Sequence, residues 1–469
     1  MSLTKIFNLI PDVQGPTEKK LEFKVKLKWT LIVLGAFFIL ANIPLFGLSE
    51  NALARFEYLA IILGTDFGSL ISLGIGPIVM ASIILQLLTG AGIINIDQTT
   101  PEGKKFFQGI QKLLVFFFIV FEAIVYVLMQ GLQAMPGFTG IVIIQLILGG
   151  LAIFYMDGVT QKWGFGSGVS LFIAAGVSWR LFTSAFQFLN AQGNLVPSGK
   201  ILVLITSLLD GAEIEFFSAA AAILSTIAIF LVVVWAQSLK VEIPLSFGRI
   251  RGYGVKWPLS FFYASVIPVI LAAALIANVQ LFGGIIENAA APCLEGACTG
   301  TAKLASYFTF LGHFIEGQPI SGLAFWMGST NILELFIRGG FLPKYLLQGL
   351  THILFFIVAC TIFSIFWVKT SGMDAKKQAH NIAASGLQVA GFRQDERIIE
   401  SILARYIMPL TVMGGAAIGL LAATTDLLGA LVSGTAILLV IMIMHQLYQK
   451  ISQDHVADMN PAMRKFMGN

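Results

Sequence analysis

Side chains able to carry chemistry are sparse in this 469-residue chain, and their spacing rules most of it out. The histidines His313, His352, His380, His445 and His455 stand apart, and none joins a cysteine or another histidine at ligand spacing, so no Cys/His metal site is supported. The H-E-x-x-H pair, the phosphate loop G-x-x-x-x-G-K-S/T and the nucleophile turn G-x-S-x-G are all absent. An enzyme is therefore not predicted, and neither is a metal or an organic cofactor. Cys293 and Cys298 share one loop; they fit two incidental thiols, and in an outer loop they would also fit a disulfide. The clear ionisable group inside an apolar run is Glu122. A carboxylate within a membrane is a candidate functional group; the plainer reading is a protonated or hydrogen-bonded glutamate at a helix–helix contact.

The elements that must hold these groups follow from composition. The chain is 57% apolar and 12% charged with mean hydropathy +0.85, whereas soluble domains carry about 25% charge. A soluble enzyme and a disordered chain are excluded, and a net charge of +4 is too mild to imply nucleic-acid binding by itself. Trp29–Leu48, Phe67–Ile96, Phe216–Leu239, Trp257–Ile286, Tyr345–Val368, Tyr406–Thr425 and Leu427–Gln449 are charge-free and about 20 residues or longer, enough to cross a bilayer as helices. Leu113–Leu132 with Glu122, the short Ile141–Met156, and Trp163–Trp179 bring the predicted spans to ten.

With the N-terminus cytoplasmic, only Arg55, Arg180, Lys200, Lys303, Arg338 and Lys344 of the 29 Lys and Arg residues fall outside. That bias fixes the orientation and makes Leu304–Leu333 an outer loop rather than an eleventh span. Residues 1–28, with Ile6, Phe7, Leu9, Ile10 and Phe23 among charges, read as an arm on the inner surface rather than a cleaved signal, because the apolar run starts only at Trp29. The predicted division is 1–28, a first half 29–205, a second half 206–451 and a tail 452–469, with the break in the polar stretch Asn190–Glu215. Ile75-Gly76-Pro77-Ile78-Val79 in the second span echoes Val266-Ile267-Pro268-Val269-Ile270 in the seventh, and the two run in opposite senses, as in an inverted repeat. Before the second span, Glu50–Gly68 is amphipathic and too short to cross; it reads either as a segment folded back into a cavity or as an interfacial loop helix. From these patterns alone a secondary transporter of a small solute ranks first, although the spans offer few polar groups for a binding site.

The motifs change that ranking. Leu70-Ile71-Ser72-Leu73-Gly74-Ile75-Gly76-Pro77-Ile78-Val79 with Ile84-Leu85-Gln86-Leu87-Leu88, and Lys240-Val241-Glu242-Ile243-Pro244-Leu245 through Gly248-Arg249-Ile250-Arg251-Gly252, resemble the SecY family of protein-conducting channels. So do Gly166-Ser167-Gly168, Phe366-Trp367-Val368 and Gly391-Phe392-Arg393. The resemblance covers essentially the whole chain and is archaeal or eukaryotic-like in style. It implies an all-α membrane fold of ten helices in two pseudo-symmetric halves around an hourglass pore with a plug helix. The implied activity is passage of secretory polypeptides and sideways release of transmembrane segments.

Residue by residue, the resemblance places Ile75, Val79, Val169, Ile173, Ile270 and Leu439 in the pore ring. Ile75/Val79 and Val169/Ile173 are each spaced to share a helix face, and an apolar constriction can exclude ions by dewetting. The plug is implied at Arg55–Thr65, including Arg55, Phe56, Glu57, Tyr58, Leu59 and Ile62. The lateral gate is implied between spans two and three and spans seven and eight, with Met80, Gln86, Glu122 and Asn278; Met80 stands where the family usually has a small polar residue. Arg249, Arg251, Lys256 and Arg393 lie in two basic inner loops that dock the ribosome in the family, where RNA phosphates attract Arg and Lys. Implied partners are the SecE-type and Secβ/SecG-type small membrane subunits, the ribosome, signal sequences and nascent chains, in a multi-pass protein of the cell membrane with both termini cytoplasmic.

Overall fold

Apolar runs too long for a soluble core become helices, because a segment in lipid must pair its own backbone groups. The structure is a computed structural model. It describes the chain apart from residues 1–10, 18–20, 49–67, 91–92, 95, 97–99, 129–131, 189–197, 248–253, 265, 295–306, 316–317, 385–386, 390–394 and 460–469. Among the described residues, ten helices have 15 residues or more: α1 Phe23–Ala41, α2 Gly76–Gly90, α3 Pro101–Leu128, α4 Thr139–Trp163, α5 Gly168–Phe186, α7 Glu213–Gln237, α8 Ile267–Leu294, α11 Pro343–Thr370, α13 Glu396–Leu427 and α14 Gly434–Met459. Shorter helices are α6 Lys200–Asp210, α9 Leu323–Met327, α10 Ile332–Ile337 and α12 Ala375–Ala384. Eight helices among the described residues are long and apolar enough to cross a membrane; α1 begins among Lys24, Lys26 and Lys28, and α2 is short.

Several boundaries differ from the sequence expectation for identifiable reasons. The first helix starts six residues earlier than Trp29 and stops at Ala41, since lysine stems can lie along apolar surface and Pro44 disfavours helix before it. The second span is not one helix over 67–96. Residues 68–75 form turns, with positive φ at Gly68 and Gly74. The Gly68 N–H donates to Ser72 Oγ at 2.8 Å, and that hydroxyl donates to Ser69 O at 2.6 Å. The fourth span is not short: α4 continues past Met156 through Asp157 to Trp163, and α5 opens only at Gly168. The stretch 304–333 is broken, as expected of a loop: a 3₁₀ turn, the hairpin β3 His313–Ile315 and β4 Gln318–Ser321, then α9 and α10.

Small residues bring the helices together. A Cβ on Gly415 would lie 2.6 Å from Ser364 Oγ, and one on Gly419 2.5 Å from Phe356 O, so this Gly-x-x-x-Gly face of α13 seats directly on α11. A continuous core joins α1–α5, α7, α8, α11, α13 and α14. A second, smaller core lies under a sheet of order β2–β1–β5, formed by β1 Lys240–Phe247, β2 Gly254–Ser260 and β5 Leu387–Val389. There Ile243, Leu259, Ile382, Ile399 and Leu403 are buried. Tyr263 Oη donates to Met373 O at 2.7 Å, and burial, with the Asp374 carboxylate nearby, pushes this phenol up to about 12.

Candidate functional site

Two cavities share helices α5, α8 and α11. The larger, about 1240 Å³, is walled by α2, α3, α4, α5, α8 and α11, with polar groups such as Ser82, Gln108, Gln111 and Ser170 and the lysines Lys104 and Lys377. The smaller, about 30 Å³, is lined by α5, α8, α11, α14 and the ends of neighbouring elements, including Gln280, Ser329, His352, Asp426 and Thr435. That is room for one or two waters. Along α5, Val169 faces the large cavity, and Ile173 and Val177 face the small one. Along α8, Ile267 and Ile270 face the large cavity, and Ala273 and Ile276 the small one. The two spaces therefore lie at different depths along the same helices, separated by a layer of side chains. Helix α2 starts from the buried Ile75 and lines the large cavity from Ile78 to Thr89, so it runs opposite to α8.

Five of the six aliphatic residues named from the sequence line one of the two cavities. Val79, Val169 and Ile270 line the large cavity. Ile173 and Leu439 line the small one. Ile75 lines neither cavity but is buried in the core that joins these helices, against which Val169 also packs. Of the four residues assigned to the side gate, Met80 is half-buried and the other three are buried. Helix α2 packs against α3, α8 and α11. Asn278 Nδ2 donates to Ala274 O of its own helix at 2.8 Å. Among the described residues, Gln86 Oε1 and Glu122 Oε1 have no hydrogen-bond partner, and Gln86, Glu122 and Asn278 do not bond one another. A polar tie does join α2 to α3 elsewhere: Gln111 Nε2 donates to Ser82 Oγ at 3.0 Å. The assigned plug residues, Arg249, Arg251 and Arg393 lie outside the described residues; for Lys256 only its place in β2 is described. The side chains of Cys293 and Cys298 lie outside them as well.

Sequence reasoning treated Glu122 as the one clear intramembrane acid and missed two others. Asp157, 6% exposed, accepts from Gly168 N at 2.7 Å, Val169 N at 3.1 Å and Gln161 Nε2 at 2.7 Å. Asp426, at the end of α13, accepts from Thr435 N at 2.6 Å and from the Thr435 hydroxyl, with His352 Nε2 at 3.5 Å from its carboxylate. His352 Nδ1 lies 2.7 Å from Met327 O. Both acids sit where an apolar run ends in the sequence, so hydropathy alone puts them in loops. Their signal was a helix start eight to eleven residues downstream, whose open N–H groups need an acceptor.

The arm before α1 is also held in place. Asp12 pairs with Lys112 at 2.6 Å and Lys162 at 3.0 Å; Lys162 Nζ also donates to Val13 O, and Trp163 Nε1 to Gln14 O at 2.9 Å. Partial burial pushes the Asp12 carboxyl up, but the two ammoniums outweigh it and hold it below its ordinary value.

This is a multi-pass helical membrane protein with an open cavity closed at depth by aliphatic side chains. The SecY family model matches residues 69–448. The chain is 41% identical to the protein translocase subunit SecY of Methanothermobacter thermautotrophicus, over 99% of this chain and 98% of the relative. It is 38% identical to that of Methanocaldococcus jannaschii, over 99% of each. Its fold matches a solved protein-conducting channel with TM-score 0.83 and 37% identity over 99% of each chain. It also matches Sec61 in the canine ribosome–channel complex from the endoplasmic reticulum, with TM-score 0.80, 37% identity and 99% coverage of each. The chain belongs to the SecY family. Membership makes it a channel subunit rather than an enzyme, and the small-solute transporter favoured by span count alone is not supported.

Proposed function

We propose that this chain is the pore-forming subunit of a protein translocation channel, passing secretory polypeptides across the membrane and releasing transmembrane segments sideways into lipid. The observation that carries the mechanism is the aliphatic layer between the two cavities, with Val79, Val169 and Ile270 from three helices on one side and Ile173 and Leu439 on the other. An ion meeting that layer would have to shed water with nothing polar to replace it. An unfolded chain of any sequence would meet only short-range apolar contacts that let go again.

On this reading Ile75 completes the ring, and the segment at Arg55–Thr65 plugs it. The side gate lies where α2 meets α8 and α11, and the absence of hydrogen bonds among Gln86, Glu122 and Asn278 favours a gate that parts easily. The basic residues Arg249, Arg251, Lys256 and Arg393 meet ribosomal RNA phosphates, in keeping with the ribosome-bound canine relative. SecE-type and Secβ/SecG-type subunits complete the channel. It sits in the cell membrane with both termini cytoplasmic, the sense that the distribution of Lys and Arg favours. A stalled secretory chain carrying photocrosslinkers tests the path: adducts are expected at Ile75, Val79 and Ile270. Adducts confined to exposed positions on α7, such as Leu231, with none at those three, would overturn it.

A further inference from the structure

Helix α5 opens beside the aliphatic layer, and helix starts leave backbone N–H groups without partners inside the helix. The residue preceding this one is Ser167, but its hydroxyl lies 3.4 Å from Ser170 N, too far for a strong cap. The effective acceptor comes from the previous helix. Asp157 Oδ1 takes both Gly168 N–H, at 2.7 Å, and Val169 N–H, at 3.1 Å, while Gln161 Nε2 steadies Oδ2 at 2.7 Å. Gly168 permits this approach, since a Cβ there would lie 2.7 Å from Asp157 Cα and 3.0 Å from Oδ1. Asp157, Ser167, Val169 and Ser170 all line the large cavity.

We propose that Asp157 is a positioning residue of the seal: from α4 it fixes the first turn of α5, and with it the backbone from which Val169 projects. This rests on the reading of Val169 as part of the constriction. The carboxylate has a second consequence. A helix N-terminus carries about half a positive charge and attracts anions, and here it opens on a solvent-sized cavity directly at the seal. Asp157 fills that anion site from within the protein. Without it, the seal loosens and the exposed N–H groups favour chloride over potassium at the weak point.

The test uses the channel complex, with its small subunits, reconstituted in planar bilayers. A lost cap corresponds to about a tenfold shift in a local equilibrium, so Asp157→Ala is expected to raise resting conductance about tenfold, with chloride preferred. Asp157→Asn, which keeps the shape but not the charge, should show the same preference with a smaller rise. Gly168→Ala should act like Asp157→Ala, and amide exchange should quicken at residues 168–170 only. Val169→Ala serves as the reference and should leak without chloride preference. If Val169→Ala leaks while both Asp157 variants stay tight with unchanged exchange, the proposal falls and the constriction stands. If Val169→Ala is itself tight, the reading of Val169 falls first, and unchanged exchange at 168–170 in Asp157→Asn would then overturn the positioning role as well. A leak without chloride preference, with faster exchange throughout α4 and α5, marks general loosening and also overturns it. Should Asp157→Ala fail to assemble, Asp157→Asn decides by the same readouts.

Discussion

Gly149→Ala offers a direct test of how α2 is placed. Gly149, in α4, is buried against the turns that precede Ile75. A Cβ there would lie 2.8 Å from the carbonyl carbon of Leu70, closer still to its oxygen, and 3.5 Å from Ile71 N. All three neighbours are backbone, so no rotamer change relieves the clash. Ordinary contact begins near 3.4 Å, so the turn must retreat by clearly more than an ångström or α4 must move away. Overpacking of this kind costs about 1–3 kcal/mol, and rigid backbone on both sides places the expectation at the upper end, about 3 kcal/mol. The same helix supplies its own control, because a Cβ on Gly140 would meet nothing within 4 Å. There alanine should be neutral or stabilise by up to about 1 kcal/mol through helix propensity. Thermal unfolding of the purified protein in one detergent, followed by tryptophan fluorescence, compares the pair. Gly149→Ala is expected to melt several degrees lower than Gly140→Ala. Equal melting temperatures would refute the close approach of α4 to the 68–75 turn and, with it, this account of how α2 is seated.

The strap before α1 should respond to acid with a definite sign. The Asp12 carboxyl is held below its ordinary 3.8 in the folded protein, so its contribution is complete above that value and is lost as pH falls through the lower folded value. Because that carboxylate is about half exposed, the pairs are worth about 1 kcal/mol or less; Asp12→Asn should speed protease cleavage near residues 11–17 at neutral pH, with the difference shrinking as the pH falls below 3.8, and equal rates at neutral pH would remove the strap. At the proposed side gate, Glu122 is 2% exposed, and an unpaired buried polar atom costs about 1–3 kcal/mol. Glu122→Leu should therefore favour the closed interface and raise the hydrophobicity a segment needs to exit sideways, measured by insertion of a graded segment series into vesicles; an unchanged threshold would show that Glu122 does not tune the gate.

Much of the helical order was legible because lipid permits few alternatives: each apolar run that was counted as a span overlaps mainly with one of the ten helices of 15 residues or more, although α2 fills only half of its run. What was not legible came from groups that act between runs. The break before α2 depends on Gly68, Gly74 and the Ser72 hydroxyl, and a hydropathy count sees only a continuous apolar stretch there. Asp157 looked like the end of a span because a charge usually ends one; its acceptors are used by a helix that begins eleven residues later. The hairpin of β1 and β2 reads in sequence as a basic loop up to Lys256 and as the start of the seventh span from Trp257, whereas β2 runs to Ser260 and α8 opens only at Ile267; its pairing, Ile243 opposite Trp257, is set by a satellite core contributed by distant segments. The aliphatic layer was reached through family resemblance, not periodicity. The i, i+4 spacing of Val169 and Ile173 puts both on one face of α5, and the structure adds what spacing alone does not say: the two look into different cavities, so one helical turn spans the layer.

The echo between the second and seventh spans acquires a local physical cause. Pro77 is the second residue of α2, and Pro268 is the second residue of α8. Proline is favoured in the first turn of a helix, where its missing N–H costs nothing and its fixed φ already suits the helix. In each case the second residue after the proline, Val79 or Ile270, lines the large cavity. The same three-residue device therefore starts two antiparallel helices and sets one aliphatic side chain at an equal offset from each start. Such a device holds its side chains at a fixed depth without any hydrogen bond across the layer. That is what a seal needs if it must exclude ions when closed and still part for a passing chain: rigid placement along each helix, and only weak, non-directional contact between helices. Tightening the layer with a polar pair would reverse this, because the pair would have to be broken, and its groups rehydrated, each time the layer opened.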